Sequence, residues 1–521
     1  MRRLSMFFII GGILVTLCLG GCGRSPYPDD VAEVLAQAGD NRAELEKVIE
    51  HYRTEADSLK LEAAYFLIGN MEGHAYATYV LKDSADSIIP FNAMDYPDYD
   101  VLLTSIDSLD KAHPGLDFKR GELINDIDVI TADFLITQID YAFRAWREKP
   151  WAENLSFDDF CRYVLPYRGS NEPLENWREY FWDKYADVAS GMTDSTDPIE
   201  ATVLINNDVR SGFVFDRRFY YHPTDLGLKE MLEYGMGRCE DMTNVTIYAL
   251  RANGLAVTSD YTPCWANAGN NHAWNAILAP DGRVIPFMGA EANPGEYRLR
   301  YKLAKVYRKM FNKNPDNPVF LDRKQETIAP WLGGNSFIDA TADYVDVCDV
   351  EVTFETVVPD SVDLAYLCVF NSGEWKAIHW AKIENNRAVF TDMGRSIAYL
   401  PALYLDKEIK PWGAPFILHD DCTRQVLTPG KDRITARLNA TTEIERAEST
   451  DGVQKAYLTS GKDYELNYWD GEWQALDTLR AGNTPLVFDS VPVGTLYWLT
   501  AIDSDREERI FTLDGGEQIW W

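Results

Sequence analysis

The stretch Tyr234-Gly-Met-Gly-Arg-Cys-Glu-Asp-Met-Thr-Asn244 places a cysteine where a glycine-broken loop runs into a helix. The apolar residues after it recur at spacings of 3, 4 and 3, which is one helix face: Met242, Val245, Ala249 and Ala252. Asn253-Gly254 supplies the C-terminal stop. A thiol at a helix start meets unpaired backbone N–H groups and the positive end of the helix dipole. We therefore expect Cys239 to be a nucleophile whose pKa is lowered.

A histidine follows Cys239 by 33 positions (272 − 239), in Asn271-His-Ala-Trp-Asn275 at the start of a predicted strand. If the fold brings His272 beside the cysteine, the imidazole can accept the thiol proton and later return it. The backbone N–H of Cys239 is a natural donor to an oxyanion. This pair predicts acyl transfer through a thioester, without identifying the substrate.

The strands after the helix are predicted at residues 257–261, 272–279 and 283–287, with a two-residue Asp281-Gly282 turn before the last. Pro280 then faces Arg283, and the residue opposite His272 is Glu291 (563 − 272). Facing Cβ atoms lie about 4.5–5.5 Å apart, so Glu291 is expected to orient the imidazole. Asp281 lies too far up the strand, about 30 Å away at roughly 3.3 Å per residue. Two alternatives stay open, a one-residue bulge that would spoil this register and an asparagine or backbone carbonyl that holds the imidazole instead.

The segment Tyr261-Thr-Pro-Cys-Trp-Ala-Asn267 lies between the helix and His272 and is expected to line the cleft. Trp265 and Trp274 are the candidate substrate-binding aromatics, although Trp274 could instead pack beneath the histidine. The cysteines after Cys22 show neither a CxxC nor a CxH spacing, so we expect no metal and no cofactor. Most of these cysteines are expected to be buried and reduced, and Cys264 is a less favoured disulfide partner for Cys239.

This order of helix-start cysteine, histidine strand and hairpin resembles the transglutaminase-like family, a branch of the papain-like cysteine enzymes. The resemblance covers roughly residues 199–296 and rests on Gly237-Arg-Cys-Glu-Asp241, Asn253-Gly-Leu-Ala256, Asn271-His-Ala-Trp274 and Val284-Ile-Pro-Phe287. It implies a Cys–His–Asp triad with Cys239 as nucleophile and His272 as base. The chain departs from the family at the usual aspartate position, just after residues 284–287, where it has Met288.

The N-terminus combines a basic Met1-Arg-Arg, an apolar run at residues 7–19 and Leu19-Gly-Gly-Cys22, which reads as a lipobox. We expect residues 1–21 to be a lipoprotein signal peptide and Cys22 to be lipidated, with an ordinary signal peptide as the alternative. The aromatic-rich chain and its ending also resemble multidomain lipoproteins of gut Bacteroidetes. A net charge of −32 argues against nucleic-acid partners and anionic lipid surfaces, so the lipid alone would anchor the protein to the outer membrane.

The periodicity predicts an α+β multidomain chain. An N-terminal helical region at 22–130 precedes a transglutaminase-like α+β core at 131–340 and two C-terminal β-sandwich modules at 341–440 and 441–521. Gly373-Glu-Trp375 recurs as Gly471-Glu-Trp473, 98 residues later (471 − 373), which indicates two copies of one module.

Two functions are compatible with these patterns. The first is a thiol-dependent peptide or amide hydrolase, or an acyltransferase, in the cell envelope, with a peptide or protein substrate. The second is a non-catalytic surface protein that uses a degenerate core and its β-modules to bind peptide or glycan. Reactivity of Cys239 toward a thiol probe in the folded protein separates them.

Overall fold

The computed structural model describes residues 25–322, 327–444, 453–504 and 507–521. The predicted signal peptide and Cys22 lie outside the described residues. The chain is an α+β protein in which helices dominate the N-terminal half and strands the C-terminal half. The α-helices are α1 (Asp29–Gln37), α2 (Arg42–Arg53), α3 (Ser58–Gly69), α4 (Tyr99–Ala112), α5 (Asp126–Val129), α6 (Ala132–Glu148), α7 (Phe157–Asp159), α8 (Arg178–Lys184), α9 (Pro198–Gly212), α10 (Leu228–Tyr234), α11 (Cys239–Arg251) and α12 (Pro318–Leu321).

The strands fall into several sheets. Those before residue 340 are β1 (Ala75–Lys82), β2 (Asp117–Asn125), β3 (Val214–Phe215), β4 (Met236–Gly237), β5 (Val257–Thr262), β6 (His272–Leu278), β7 (Val284–Phe287), β8 (Tyr307–Lys309) and β9 (Phe337–Asp339). The first β-module contains β10 (Val347–Thr353), β11 (Leu364–Asn371), β12 (Glu374–Lys382), β13 (Arg387–Gly394), β14 (Ile397–Leu405), β15 (Glu408–Pro411), β16 (Phe416–Leu418) and β17 (Arg424–Val426). The second contains β18 (Arg433–Leu438), β19 (Ala440–Ile444), β20 (Gln454–Tyr457), β21 (Asp463–Trp469), β22 (Trp473–Arg480), β23 (Leu486–Pro492), β24 (Tyr497–Ala501), β25 (Ile510–Asp514) and β26 (Glu517–Trp520).

The N-terminal helices pack as their apolar spacing predicts, with Leu45, Val48, Ile49 and Tyr52 of α2 buried on one face. The N-terminal region that was predicted to be helical also contains two strands, β1 and β2, which form an antiparallel pair. Their residues are mostly half-buried or exposed and show no strict alternation, so the sequence lacks the period of two that marks a strand with one buried face.

The central domain, from α6 to β9, is built on a five-stranded antiparallel sheet in the order β7-β6-β5-β8-β9. Helix α11 lies in the middle of this domain, and its residues from Asp241 to Arg251 are all buried. On the sheet, Thr262 of β5 faces His272 at the first position of β6, so the histidine stands at one end of a central strand.

The two β-modules repeat one another in detail. Strand β11 pairs with β12 and β14, as β21 pairs with β22 and β24, and each first hairpin carries a register shift, at Leu367/Cys368 and at Leu466/Asn467. The Tyr399 hydroxyl donates to the Gly394 carbonyl 2.7 Å away, and Tyr497 makes the equivalent bond to Pro492. This shared geometry supports the internal repeat inferred from the two Gly-Glu-Trp motifs.

Within the described ranges, helices are either too short or too polar to cross a lipid bilayer.

Candidate active site

Cys239 is the first residue of α11, as predicted, and Arg238 is the helix N-cap. The Asp241 carboxylate accepts the backbone N–H of Arg238 and that of Leu226, each at 2.9 Å, which fixes the turn that enters the helix. A Cβ at Gly237 would lie 2.5 Å from the Asp241 Cβ, so this close approach needs glycine. The Gly-Arg-Cys-Glu-Asp motif therefore holds the thiol in a fixed position.

The Cys239 thiol meets the beginning of the histidine strand. The backbone N–H of Ala273, the residue after His272, and that of Glu240 lie near enough to its Sγ to lower the pKa of the thiol. The fold thus brings the predicted nucleophile and the predicted base together from positions 33 apart in the chain.

The pKa of Cys239 differs from the lowered value expected from its place at a helix start. Burial raises the pKa to about 11, and the neighbouring Glu240 charge adds to the increase. Arg238 and the two backbone N–H groups oppose these effects without reversing them. The site therefore holds a neutral thiol at neutral pH, and the expectation of a lowered pKa is wrong.

Glu240 is held by two partners behind the thiol. Its Oε1 accepts the Ser170 hydroxyl at 2.8 Å and forms an ion pair with Lys309. Burial opposes ionisation of Glu240, but Lys309, Arg238 and Ser170 together lower the pKa of this carboxyl overall. An ionised carboxylate, paired with Lys309, therefore lies beside the nucleophile.

His272 is enclosed by aromatic rings. The Trp265 ring stacks on it at 5.8 Å between centroids, and the Trp274 ring lies at 5.9 Å. Burial lowers the pKa of His272 to about 4, with Glu240 opposing and Arg300 adding to the decrease. The imidazole is therefore neutral at physiological pH, with one ring nitrogen unprotonated.

The partner of His272 is a tyrosine. The Tyr297 hydroxyl lies 2.6 Å from Nε2 of His272. Burial raises the pKa of Tyr297, and Glu291 and Cys239 raise it further, so its hydroxyl stays protonated. The imidazole is thus oriented by a neutral hydroxyl instead of a carboxylate.

The predicted pairing of Glu291 with His272 is corrected by the hairpin register. Asn275 faces Phe287, so facing residues sum to 562 rather than 563. The N–H of Ala279 donates to the Arg283 carbonyl, and the turn therefore contains three residues and ends at Gly282, with φ 83°. A shift of one residue moves each side chain to the opposite face of the strand. Glu291 is exposed and lies beyond the end of β7.

The chain after β7 turns instead of extending the ladder. Met288, at the family's aspartate position, is buried in the core of the central domain, and it exchanges backbone hydrogen bonds with Ala292. A Cβ at Gly289 would lie 2.5 Å from the Asn275 Oδ1, so the chain passes close to β6 here. Asn206 of α9 accepts the Ala290 N–H at 2.8 Å. After this turn the chain returns toward His272, and Tyr297 lies in the segment that follows.

The two tryptophans proposed to bind substrate are both buried, and Trp274 is 0 % exposed. Trp274 donates from Nε1 to the Tyr344 hydroxyl at 3.0 Å and packs beneath the histidine, which is the alternative considered above. Two partly exposed aromatics lie near the thiol: Tyr220, whose pKa is raised by partial burial and by its proximity to Cys239, and Phe215, which contacts Tyr220 edge-on. These rings follow α9 in a short segment without periodicity, so no sequence pattern indicated them.

Cys348 and Cys422 form a disulfide in the first β-module, between β10 and the turn before β17. Among the described residues Cys161, Cys239, Cys264 and Cys368 are free, and Cys239 is the least buried of these. Cys264 therefore does not pair with Cys239 in this structure.

Alkylation of Cys239 by iodoacetamide should accelerate by about tenfold per pH unit between pH 7 and 10, because only the thiolate reacts and the pKa is near 11. The rate is measured by peptide mapping after timed exposure, with Cys239→Ser to report labelling of the other thiols. A rate that reaches a plateau below pH 8.5 would show that the thiol is already ionised at neutral pH.

Comparison with known protein families gives a match within the central domain. A family model described as "Transglutaminase-like superfamily" matches residues 186–288, which contain α9, α11, Cys239, His272 and the hairpin of β6 and β7. No curated protein matches the chain.

Proposed function

From the premise that residues 186–288 form a transglutaminase-like superfamily domain, we propose that this domain is a thiol-dependent hydrolase or acyltransferase of peptide or amide bonds. The observation that carries the proposal is the position of the Cys239 Sγ, which lies near the backbone N–H of Ala273, the residue directly after His272. A nucleophile and a base held together by a helix start and a strand start are the two groups that thioester chemistry requires.

The proposed reaction starts from the neutral pair. As Sγ of Cys239 bonds to the substrate carbonyl carbon, its proton passes to His272, and the imidazolium then protonates the leaving amine as the C–N bond breaks. Water, activated by the same imidazole, attacks the thioester and regenerates the thiol. An amine in place of the water gives acyl transfer. Since water needs no binding site of its own, hydrolysis is the favoured outcome.

Tyr297 sets the tautomer in this mechanism. Its hydroxyl is at Nε2, which leaves Nδ1 as the nitrogen available to the thiol proton. If Nε2–H donates to the Tyr297 oxygen, Nδ1 keeps its lone pair and His272 can act as base. A neutral hydroxyl stabilises the imidazolium less than a carboxylate would, which fits a pair that is neutral at rest.

Replacing Tyr297 with phenylalanine should slow acylation of Cys239 by p-nitrophenyl acetate by about tenfold, since one hydrogen bond that holds the imidazole is lost. The Tyr297→Phe variant should have a smaller acylation rate constant and an unchanged midpoint of unfolding. Tyr185→Phe is the matched control, because its hydroxyl bonds Asp208 at 2.8 Å in the same domain. Equal rates in Tyr297→Phe and wild type would remove Tyr297 from the mechanism.

We place the protein in the bacterial cell envelope as an outer-membrane lipoprotein anchored through Cys22, acting on peptide or protein substrates. The disulfide between Cys348 and Cys422 supports this location, because disulfides persist in oxidising compartments outside the cytosol. The mass of the N-terminal peptide from membrane-extracted protein tests the anchor, and an unmodified Cys22 would contradict it.

A non-catalytic binding protein is the second candidate, and the hydroxyl in place of a carboxylate at His272 favours it. The β-modules offer a cleft of about 620 Å³ lined by prolines, Trp412 and Trp469. Acyl-enzyme formation separates the two functions, because a binding protein would leave Cys239 unmodified by an acylating probe.

A further inference from the structure

The loop that leads into His272, residues 263–271, is held by the β-modules, which lie outside the residues matched by the family model. We call it the histidine loop. It connects β5 to β6, and its backbone bonds within itself, from the Trp265 N–H to the Asn270 carbonyl at 3.1 Å. Asn270 has φ 64°, so the loop closes through a left-handed residue immediately before the histidine strand.

One side chain of the first β-module bonds three carbonyls of this loop. The Asn371 amide nitrogen, at the end of β11, lies 3.0 Å from the Trp265 oxygen and 2.9 Å from those of Ala268 and Asn270. Asn371 is 1 % exposed. The two amide hydrogens of Asn371 are shared among three buried carbonyl oxygens. In most other loop conformations some of these polar groups would be left without a hydrogen bond.

A buried arginine of the second β-module adds a further connection. Arg509 donates from Nη2 to the Ala266 carbonyl and from Nη1 to the Phe370 carbonyl, each at 2.7 Å. Burial lowers the pKa of Arg509 to about 10, so it keeps its charge at neutral pH. One guanidinium therefore joins the second module, the first module and the histidine loop.

The fit around the loop is close. A Cβ at Gly269 would overlap the Glu507 carboxylate and lie 3.0 Å from the Ser372 hydroxyl. Both neighbours belong to the β-modules. The loop is thus enclosed by residues from two modules that follow it by about a hundred positions or more.

The loop reaches the catalytic pair through Trp265. Asn371 bonds the carbonyl of Trp265, and the Trp265 ring stacks on His272. We propose that Asn371 and Arg509 are positioning residues of the active site, and that the β-modules set the orientation and burial of His272 by fixing the histidine loop. This inference rests on the proposed function for its catalytic consequence, while its effect on His272 can be measured without catalysis.

The test compares Asn371→Ala with wild type in the full chain. Acylation of Cys239 by p-nitrophenyl acetate should slow by about tenfold, because a displaced base loses its geometry. The His272 imidazole, followed by NMR, should titrate at higher pH than in wild type, toward the ordinary value of about 6.5, as the ring becomes less enclosed. Arg509→Lys should also slow acylation and raise the pH at which His272 titrates, because the single lysine nitrogen cannot donate to the same carbonyls in the same geometry.

Asn386→Ala is the matched control. Asn386 also bonds backbone of its own module, accepting the Val358 N–H at 2.8 Å and donating to the Phe354 carbonyl, but it does not touch the histidine loop. An unchanged His272 titration in Asn371→Ala, or an equal shift in Asn386→Ala, would overturn the proposed positioning. If wild type is not acylated, the proposed hydrolase fails, and the His272 titration still decides the role of Asn371.

Discussion

Replacement of His272 by alanine should reduce acylation of Cys239 by p-nitrophenyl acetate at pH 7 by about a hundredfold or more. The physical reason is the raised pKa of the thiol, about 11, which leaves almost no thiolate at neutral pH without a base to take its proton. The rate is read from the release of p-nitrophenolate under single-turnover conditions. In wild type the part of the rate that depends on His272 should be lost as the pH drops toward 4, because burial keeps His272 unprotonated above that value.

His222→Ala is the control for loss of a partly buried histidine in the same domain. Its ring bonds the Thr224 carbonyl at 2.8 Å, and no step of the mechanism uses it. If His272→Ala is acylated as fast as wild type, the cysteine acts without this base and the proposed pair is wrong.

Replacement of Arg308 by alanine should lower the free energy of unfolding by about 3–5 kcal/mol, the usual effect of removing one partner of a buried ion pair. Arg308 bonds Asp260 through two nitrogens, at 3.0 and 2.8 Å, and Asp260 is 0 % exposed. In the variant the Asp260 carboxylate loses its cation. Asp260 accepts the Tyr344 hydroxyl, which in turn accepts the Nε1–H of Trp274 in the strand of His272. Urea denaturation followed by tryptophan fluorescence measures the change.

The pH dependence of this loss has a defined sign. Burial raises the pKa of Asp260, so its charged form is the destabilised one, and removal of Arg308 increases that penalty. The loss should therefore shrink as the pH falls and Asp260 protonates. Arg387→Ala is the control, because its pair with Glu351 is mostly exposed and should contribute at most about 1 kcal/mol. Equal losses in the two variants would show that the buried pair has no special role.

The sequence was most informative where a local pattern specifies a local structure. The apolar spacing after Cys239 predicted α11 to within a residue of its end, and the change of periodicity beyond residue 341 predicted the β-rich C-terminal half. These features depend on neighbours a few positions apart. Their periodicity is therefore visible without the fold.

The histidine's partner was missed because it depends on one residue of register. A three-residue turn replaced the predicted two-residue turn, which removed Glu291 from the position opposite His272, and the chain then left the ladder at Met288. Tyr297 reaches His272 from a loop, where no periodicity predicts the direction of a side chain. The pKa of Cys239 could not be predicted from the sequence either. The helix start favours a thiolate, but burial, which is visible only in the folded structure, disfavours it more.

Whether Cys239 and His272 act together is measured by a mass map of the protein after brief exposure to p-nitrophenyl acetate at pH 7 and an acid quench. Wild-type protein should carry one acetyl group, on Cys239, that is lost over time by hydrolysis. The group should be absent from Cys239→Ser and strongly reduced in His272→Ala. Wild-type protein with an unmodified Cys239, or with the same acetylation in His272→Ala, would contradict the claim that these two residues form a catalytic pair.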